Sequence, residues 1–368
     1  SEDLYVISER FLQETLAGFL SLKADYVQAG ALVGGVGRLS GERLLILGPR
    51  THFGIRSRAS VERARDLLRM ARKTESATVL VSGRTWYNAM GEDDEALDMR
   101  EDFLRTLKEK SGFRFVIITH AEGLQKLSLA SSADVLIYTG KGNPSLPVLI
   151  CQDLKEAFLR VEQIVAWSKK KGPSTDPGPT FVLPQSSLQA FDVQRVIESL
   201  LDQGSFLSFW AQHSAGFVTG IGRIAGHSIG VLADQPQIQG GAADAPGTRK
   251  FRKFMEIMER FQVPVLMLSS SPGFLPGLKQ ERLRIQQIGG ESLDVNVQSR
   301  VPVLSVTLAQ NYGGRQIQAF SKFLRPGITT FARRDSILAV MGATASFDLF
   351  HGKEYRDLLE GGQEEREL

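Results

Sequence analysis

Residues 35–47 read GVGRLSGERLLIL, and residues 220–232 read GIGRIAGHSIGVL. Gly35, Gly37, Arg38, Gly41 and Leu47 recur as Gly220, Gly222, Arg223, Gly226 and Leu232, 185 residues later. A repeat of this kind is read before single elements, because each copy is one supersecondary unit. The match continues downstream. VERARDLLRMA (61–71) places Val61, Ala64, Leu67, Leu68 and Ala71 on one helical face. FRKFMEIMERF (251–261) does the same with Phe251, Phe254, Met255, Met258 and Phe261. ATVLVS (77–82) then matches PVLMLS (264–269), and FRFVIIT (113–119) matches VPVLSVT (301–307), at offsets of 187 and 188. That small drift is what loop insertions leave between duplicated halves.

Each copy opens with a Gly-rich strand and an apolar strand joined at Ser40-Gly41-Glu42 or its equivalent, which predicts a hairpin. Helix, strand, helix and strand follow. This ββαβα order is an α/β fold with crossover helices, present twice, at 31–160 and 216–355. The apolar stripes are read as core. SKKKGPSTDPGPT (168–180) is charged and rich in Pro and Gly, so it is read as a linker between a first domain at 1–167 and a second at 181–368. AFDVQRVIESLL (190–201) predicts an amphipathic helix leading into the second copy, Lys169–Lys171 a solvated face, and GGQEEREL an unstructured tail.

Composition narrows the function. The 368 residues carry 44 basic and 41 acidic side chains, a net charge of +3, too balanced to indicate a nucleic-acid surface. The only cysteine, Cys151, excludes an intrachain disulfide framework and a multi-cysteine metal site, and suits a reducing, cytoplasmic compartment. No paired metal-ligand spacing occurs, so no metal is expected. SEDLYVISER is polar and acidic, unlike a signal peptide, and no apolar run has the length of a membrane helix.

Chemistry is sought at strand ends, where ligands bind in open α/β sheets. SSSPGFLPGLKQE (269–281) follows one strand of the second copy, and LAQNYGGRQIQAF (308–320) follows the next. Tyr312-Gly313-Gly314 opens a helix whose first N–H groups lack intrahelical partners. Two such loops side by side can aim backbone N–H groups at one developing oxyanion. Each glycine pair taken alone also fits a tight turn. The histidines, His52, His120, His213, His227 and His351, are scattered and read as structural, with His227 in an exposed turn.

These residues resemble the biotin-dependent acyl-CoA carboxyltransferases, the β-subunit type of propionyl-CoA and acetyl-CoA carboxylases, a family that includes the carboxyltransferase subunit of glutaconyl-CoA decarboxylase. GIGRIAGHSIGVLADQP (220–236), ERFQVPVLMLSSSPGFLPGLKQE (259–281), NYGGRQIQAFSKFL (311–324) and ILAVMGA (337–343) resemble its motifs in order. The resemblance implies a duplicated crotonase-like (ClpP/crotonase) ββα superhelix with two similar subdomains. It implies that the first half binds acyl-CoA and the second binds biotin, with sites formed where unlike halves of two subunits meet. It places the biotin-side donors at Gly273 and Phe274 and at Gly313 and Gly314, flanked by Pro272 and Tyr312. Biotin would arrive on a separate carrier, and the partners would be that carrier, a biotin carboxylase subunit, and further copies of this chain or a paralogous carboxyltransferase subunit.

The first half departs from the pattern. SGRTWYNAMGE (82–92) stands where the family has a Gly-Gly-Ala-Arg loop, and THAEGLQKLS (119–128), with Gly123 alone, stands where it has Ala-Gly-Gly-Ala. In the second half, Arg315 replaces a small residue and Ser269–Ser271 replace an acidic stretch. Three readings remain open: a carboxyltransferase subunit; a decarboxylase of malonyl- or glutaconyl-type thioesters, which passes through the same enolate; and a weakened structural or regulatory paralogue. The enzyme readings expect a CoA-shaped pocket in the first half with two converging N–H groups. Since only Gly123 remains of the family's loop glycines there, either a paralogous subunit with an intact first half completes the site, or the 82–92 and 119–128 loops supply a replacement hole through the side chains of Arg84 or His120. The structural reading expects Trp86 and Tyr87 to plug that site.

Overall fold

The structure, a computed structural model, describes residues 9–21, 32–39, 41–49, 58–74, 76–82, 105–106, 113–119, 130, 132–142, 147–168, 171–319 and 321–360. The chain divides into two units, Ser1–Gly172 and Pro173–Leu368.

In the first unit the Gly-rich segment is strand β2 (Leu32–Leu39), antiparallel to β3 (Glu42–Pro49), with Leu39 opposite Glu42 across the turn. Helix α1 (Glu9–Thr15) and β1 (Ala17–Ser21) precede them, and β1 pairs antiparallel with β2. After β3 come α2 (Arg58–Lys73), β4 (Ala77–Ser82), β5 (Arg114–Ile118), β6 (Val135–Tyr138), β7 (Leu149–Ile150) and α3 (Leu154–Ser168). From β3 to β7 neighbouring strands run parallel, and the sheet order follows the chain, β1 to β7. Strands β5 and β6 are buried throughout, as parallel strands covered on both faces are. Ala64, Leu67, Leu68 and Ala71 of α2 pack on Leu45, Leu80 and Val116 in one cluster. The side chain of Val61 lies outside the described residues.

The second unit repeats the order. Helix α4 (Val193–Leu200) leads to β8 (Leu207–Phe209), β9 (Phe217–Ile224), β10 (His227–Asp234), α5 (Ala245–Phe261), β11 (Val265–Ser271), α6 (Leu278–Arg282) and α7 (Ile285–Gln298). Then come β12 (Val303–Tyr312), α8 (Gly313–Gln318), β13 (Ile328–Ala332), β14 (Ile337–Ala339) and α9 (Ala343–Glu360). Strands β8 to β13 lie in chain order with the same senses as β1 to β6: two antiparallel pairings, then parallel ones. β14 adds a short pairing to the far end of β12.

The α/β class is as read from the sequence, and the second unit shows the ββαβα order in full; in the first unit the segment between β4 and β5, where the second helix is expected, lies outside the described residues apart from 105–106. Strands β1 and β8 are additions. Both are short, of five and three residues, and take their places by pairing with β2 and β9. Helix α5 starts at Ala245, before its apolar stripe. Asp244 caps it, accepting from Gly247 N–H at 2.7 Å, and Pro246 occupies the first turn. Phe251, Phe254, Met255 and Met258 are 0–1% exposed, whereas Phe261 is half-buried. Phe254 meets Phe209 and Trp210 edge-on, at centroid distances of 5.7 and 6.4 Å. Residues 308–312, read as loop, continue β12, because β14 supplies partners for Gln310–Tyr312.

Cys151 is 3% exposed, and its N–H donates to Tyr138 O at 2.8 Å. Burial, aided by Glu156, pushes its thiol up to about 12, which makes it an inert core residue. Among the described residues no helix is long and apolar enough to cross a membrane.

The β9–β10 hairpin turns through Ala225 and Gly226, at φ 49° and 77°. Left-handed backbone is costly for alanine. The Asp202 carboxylate, 5% exposed, offsets that cost by accepting from the Ala225 and Gly226 N–H groups, both at 2.8 Å. Asp202→Ala is expected to lower stability by about 2–3 kcal/mol, read by urea denaturation, since two charge-assisted hydrogen bonds disappear. A change under about 0.5 kcal/mol would mean that the turn holds itself, as surface sites do.

Candidate functional site

The two loops singled out from the sequence stand side by side. Strands β11 and β12 are parallel, with Leu268 opposite Val306 and Ser269 opposite Thr307. The next aligned pair is Ser271 and Asn311, so β12 carries two more residues than β11 over this step. The irregularity brings the end of β11 level with the end of β12. Pro272–Phe274 and Tyr312–Gly314 therefore leave the sheet together.

In the first turn Pro272 is exposed, and Gly273 has φ 121°, a backbone state that L side chains rarely adopt. Phe274 makes a parallel bridge with Ala243: Ala243 N–H donates to Gly273 O, and Leu275 N–H donates to Ala243 O, both at 2.9 Å. No described group accepts from the Phe274 N–H. In the second turn Gly313 has φ 57° and starts α8, whose leading N–H groups lack intrahelical partners. Gly314 is exposed and has an ordinary φ. What it provides is room: a Cβ there would stand 3.5 Å from Phe274 Cε2. A Cβ on Gly289 of α7 would stand 3.3 Å from Phe274 Cζ. The Phe274 ring is thus set between the two glycines.

Tyr312 is 8% exposed, and a Cβ on Gly342 would lie 3.5 Å from its ring. Tyr312 is a buried wedge beneath the turn, and the ILAVMGA segment supplies its seat. Arg84, His120 and Gly123 lie outside the described residues, as do Trp86 and Tyr87. His227 is exposed, as its turn position implied. Among the described residues no group of three or more His, Cys, Asp or Glu is gathered to hold a metal ion.

Charge is buried directly behind the turns. Arg315 and Asp234 are each 1% exposed, and Arg315 Nη2 donates to Asp234 Oδ1 at 2.5 Å. Arg315 Nη1 donates to Gln318 Oε1 at 2.7 Å, and the guanidinium carbon lies 5.2 Å from the Phe217 ring and 5.5 Å from the Phe251 ring. Asp234 Oδ2 accepts from Ser270 N–H at 3.0 Å and from Ser269 Oγ at 3.2 Å. Removing one partner of such a buried pair costs about 3–5 kcal/mol, because the other charge is stranded.

Lys250 of α5 was missed in the sequence. It sits on the apolar side of its helix at 2% exposure, yet its Nζ donates to Phe217 O (2.6 Å), His213 O (3.0 Å), Trp210 O (3.1 Å) and Ser214 O (3.4 Å). It gathers the 210–217 loop, in which Trp210 and Ser214 have positive φ. Burial pushes the amine down to about 7, with Asp244 pulling it up. Burial and the Lys250 charge also lower His213. A cavity of about 250 Å³ borders this region, lined among others by Asp192, Gln194, Gln235, Gln237 and Lys250. A lysine inside an aromatic stripe was the one available signal. Its partners, all backbone carbonyls in another segment, had none.

Comparison with known proteins bears on this arrangement. The profile of the carboxyl transferase domain family matches residues 161–367. The biotin-dependent long chain acyl-coenzyme A carboxylase beta4 subunit of Mycobacterium tuberculosis is 33% identical over 168 residues, 46% of this chain and 32% of that protein. The propionyl-CoA carboxylase carboxyltransferase subunit of Haloferax mediterranei is 31% identical over 183 residues, 50% of this chain and 34% of that protein. The chain therefore spans about a third of the length of these relatives. A transcarboxylase 12S structure with hydrolyzed methylmalonyl-coenzyme A bound superposes with a TM-score of 0.81, over 97% of this chain and 84% of that one, at 19% identity. That likeness speaks for the fold, which is the crotonase-like one expected from the sequence.

The buried lysine has a measurable signature. Its folded-state value lies below the unfolded 10.5, so its contribution to stability is complete above about pH 10.5 and lost as pH falls through about 7. Melting temperature measured from pH 7.5 to 9.5 should rise less steeply in Lys250→Met than in the parent chain. Identical slopes would mean that Lys250 titrates as an exposed lysine does.

Proposed function

The chain belongs to the carboxyl transferase domain family, and from that premise we propose that it is a carboxyltransferase subunit moving a carboxyl group between biotin and an acyl-CoA thioester. One observation carries the assignment of the biotin side to the second unit: the Gly273–Phe274 and Gly313–Gly314 turns converge, with Phe274 packed against Gly314. The relatives, subunits of a biotin-dependent acyl-coenzyme A carboxylase and of a propionyl-CoA carboxylase, agree with it.

The turns fit a ureido ring. Gly314 is exposed, a Cβ on Gly273 would meet nothing nearer than Tyr312 O at 4.0 Å, and the Phe274 ring lies beside Gly314. Carboxybiotin bound there supplies the carboxyl group. The Phe274 and Gly314 N–H groups donate to an oxygen on which negative charge grows. Because the turns are fixed before reaction, that stabilisation needs no reorganisation. The thioester oxygen falls to a first half: that of a paralogous subunit or, in a homo-oligomer, the loops 82–92 and 119–128 of this chain, with Arg84 or His120 beside Gly123 as the candidate donors. The same enolate logic serves decarboxylation of a malonyl- or glutaconyl-type thioester.

A partner subunit is part of the proposal. Phe323, Phe331, Val340 and Phe350, near the β13 edge and on α9, are 85, 57, 80 and 72% exposed. Parallel sheets are ordinarily covered, so this apolar surface supports assembly with another copy or a paralogue. The glycine-poor first-half loops favour the paralogue, whose own first half would face these biotin-side turns. The biotin carrier and biotin carboxylase are the remaining partners, and the lone cysteine supports a cytoplasmic setting.

Transfer from malonyl- or methylmalonyl-CoA to free biotin is the direct assay. Gly314→Val, whose branched side chain crowds Phe274 and the adjoining N–H, should lower kcat by about 10²–10³ with the melting temperature preserved. Unchanged activity would reduce the loop to a turn. Activity of the lone chain argues for a homo-oligomer, and activity appearing only with a paralogous subunit argues for the heteromer. Light scattering at micromolar concentration reads the assembly, and a strict monomer would count against a complete site.

A further inference from the structure

We propose that Asp234 and Arg315 are positioning residues that lock the two donor turns into one rigid unit and thereby set the rate of carboxyl transfer. The inference rests on the biotin-side reading above. Asp234 ends β10, and neither residue lies in either turn. One carboxylate oxygen holds the end of β11 through Ser270 N–H and Ser269 Oγ, three and four residues before Gly273. The other holds Arg315, the residue after Gly314. A single buried carboxylate thus connects both turns from behind.

The rest of the network braces this connection. Gln318, at the end of α8, accepts from Arg315 Nη1 and donates to Ser292 Oγ of α7, and Ser292 Oγ donates to Gly289 O. Gly289 is the glycine against which Phe274 rests. The loop that closes this circuit runs Asp234, Arg315, Gln318, Ser292, Gly289, Phe274. On the opposite side, the Phe217 and Phe251 rings flank the guanidinium and exclude water from it. Arginine suits the position because its planar fork reaches Asp234 and Gln318 at once, which an ammonium cannot do with fixed geometry.

The test uses the full chain and the variants Asp234→Asn, Arg315→Gln, Arg315→Lys and the double Asp234→Asn/Arg315→Gln. Asparagine keeps an acceptor for Ser270 N–H, and the double variant leaves no stranded charge, so folding is preserved in at least one of them. Hydrogen exchange is read over peptides 269–281 and 308–320, with 220–232 as the reference. Exchange in both loops should rise together, by about 10-fold or more, with the reference unchanged, because their opening is coupled. With malonyl-CoA and free biotin, kcat should fall about 10²-fold while KM for biotin stays within about twofold, the result of misplaced donors. The single and double variants should lose alike, and Arg315→Lys should recover part of the loss. Exchange rising in one loop alone, or kcat unchanged in every variant, overturns the proposal. A parent chain with coupled exchange and no transfer activity, alone or with a paralogue, overturns the biotin-side reading and leaves the mechanical connection standing.

Discussion

The pairing of β11 with β12 decides where the two glycine turns of the second unit stand relative to each other. Parallel hydrogen bonding fixes the two strands residue by residue up to Ser269 and Thr307, and the slip before Ser271 and Asn311 absorbs the greater length of β12. Without that slip the Gly273–Phe274 and Gly313–Gly314 turns would leave the sheet at different levels. Backbone groups have no rotamers with which to correct a misplacement. Strand register therefore does the work that rotamers do elsewhere.

Duplication gives this register a foundation in each half. Both units start from an antiparallel pair and extend by parallel strands. In the first unit α2 packs on β3, β4 and β5. The second unit adds buried ionisable groups. Asp234, Arg315 and Lys250 are all under 3% exposed, and each binds segments distant in the chain. Buried ion pairs contribute little net stability compared with apolar residues of the same shape. In this unit they give a fixed geometry to loops that apolar packing would leave adjustable.

Much of the architecture was legible because its signals are local. The Gly35/Gly220 repeat, the stripes at Ala64–Ala71 and Phe251–Met258, and the apolar strands at 77–82 and 264–269 need only a short window to be read. The paired loops were legible because each glycine turn follows a strand directly. The extension of β12 to Tyr312 was not, since it depends on Ile337–Ala339 arriving from 25 or more residues away. Strands β1 and β8 were missed for the same reason. Arg315 was visible as a departure from a family pattern, but its partner Asp234 lies 81 residues earlier. Lys250 was hidden in an apolar stripe, with backbone carbonyls for partners. Local pattern identified the elements, and long-range polar contacts decided how their ends were held.

The buried thiol of the first unit has a use beyond packing. Burial keeps the Cys151 thiol protonated at neutral pH, so it hardly reacts while its surroundings stay closed. It is also the only sulfhydryl in the chain. Alkylation therefore times the opening of β6, β7 and α3 by itself, free of any background from the second unit. The molecule carries its own clock for the opening of its first unit.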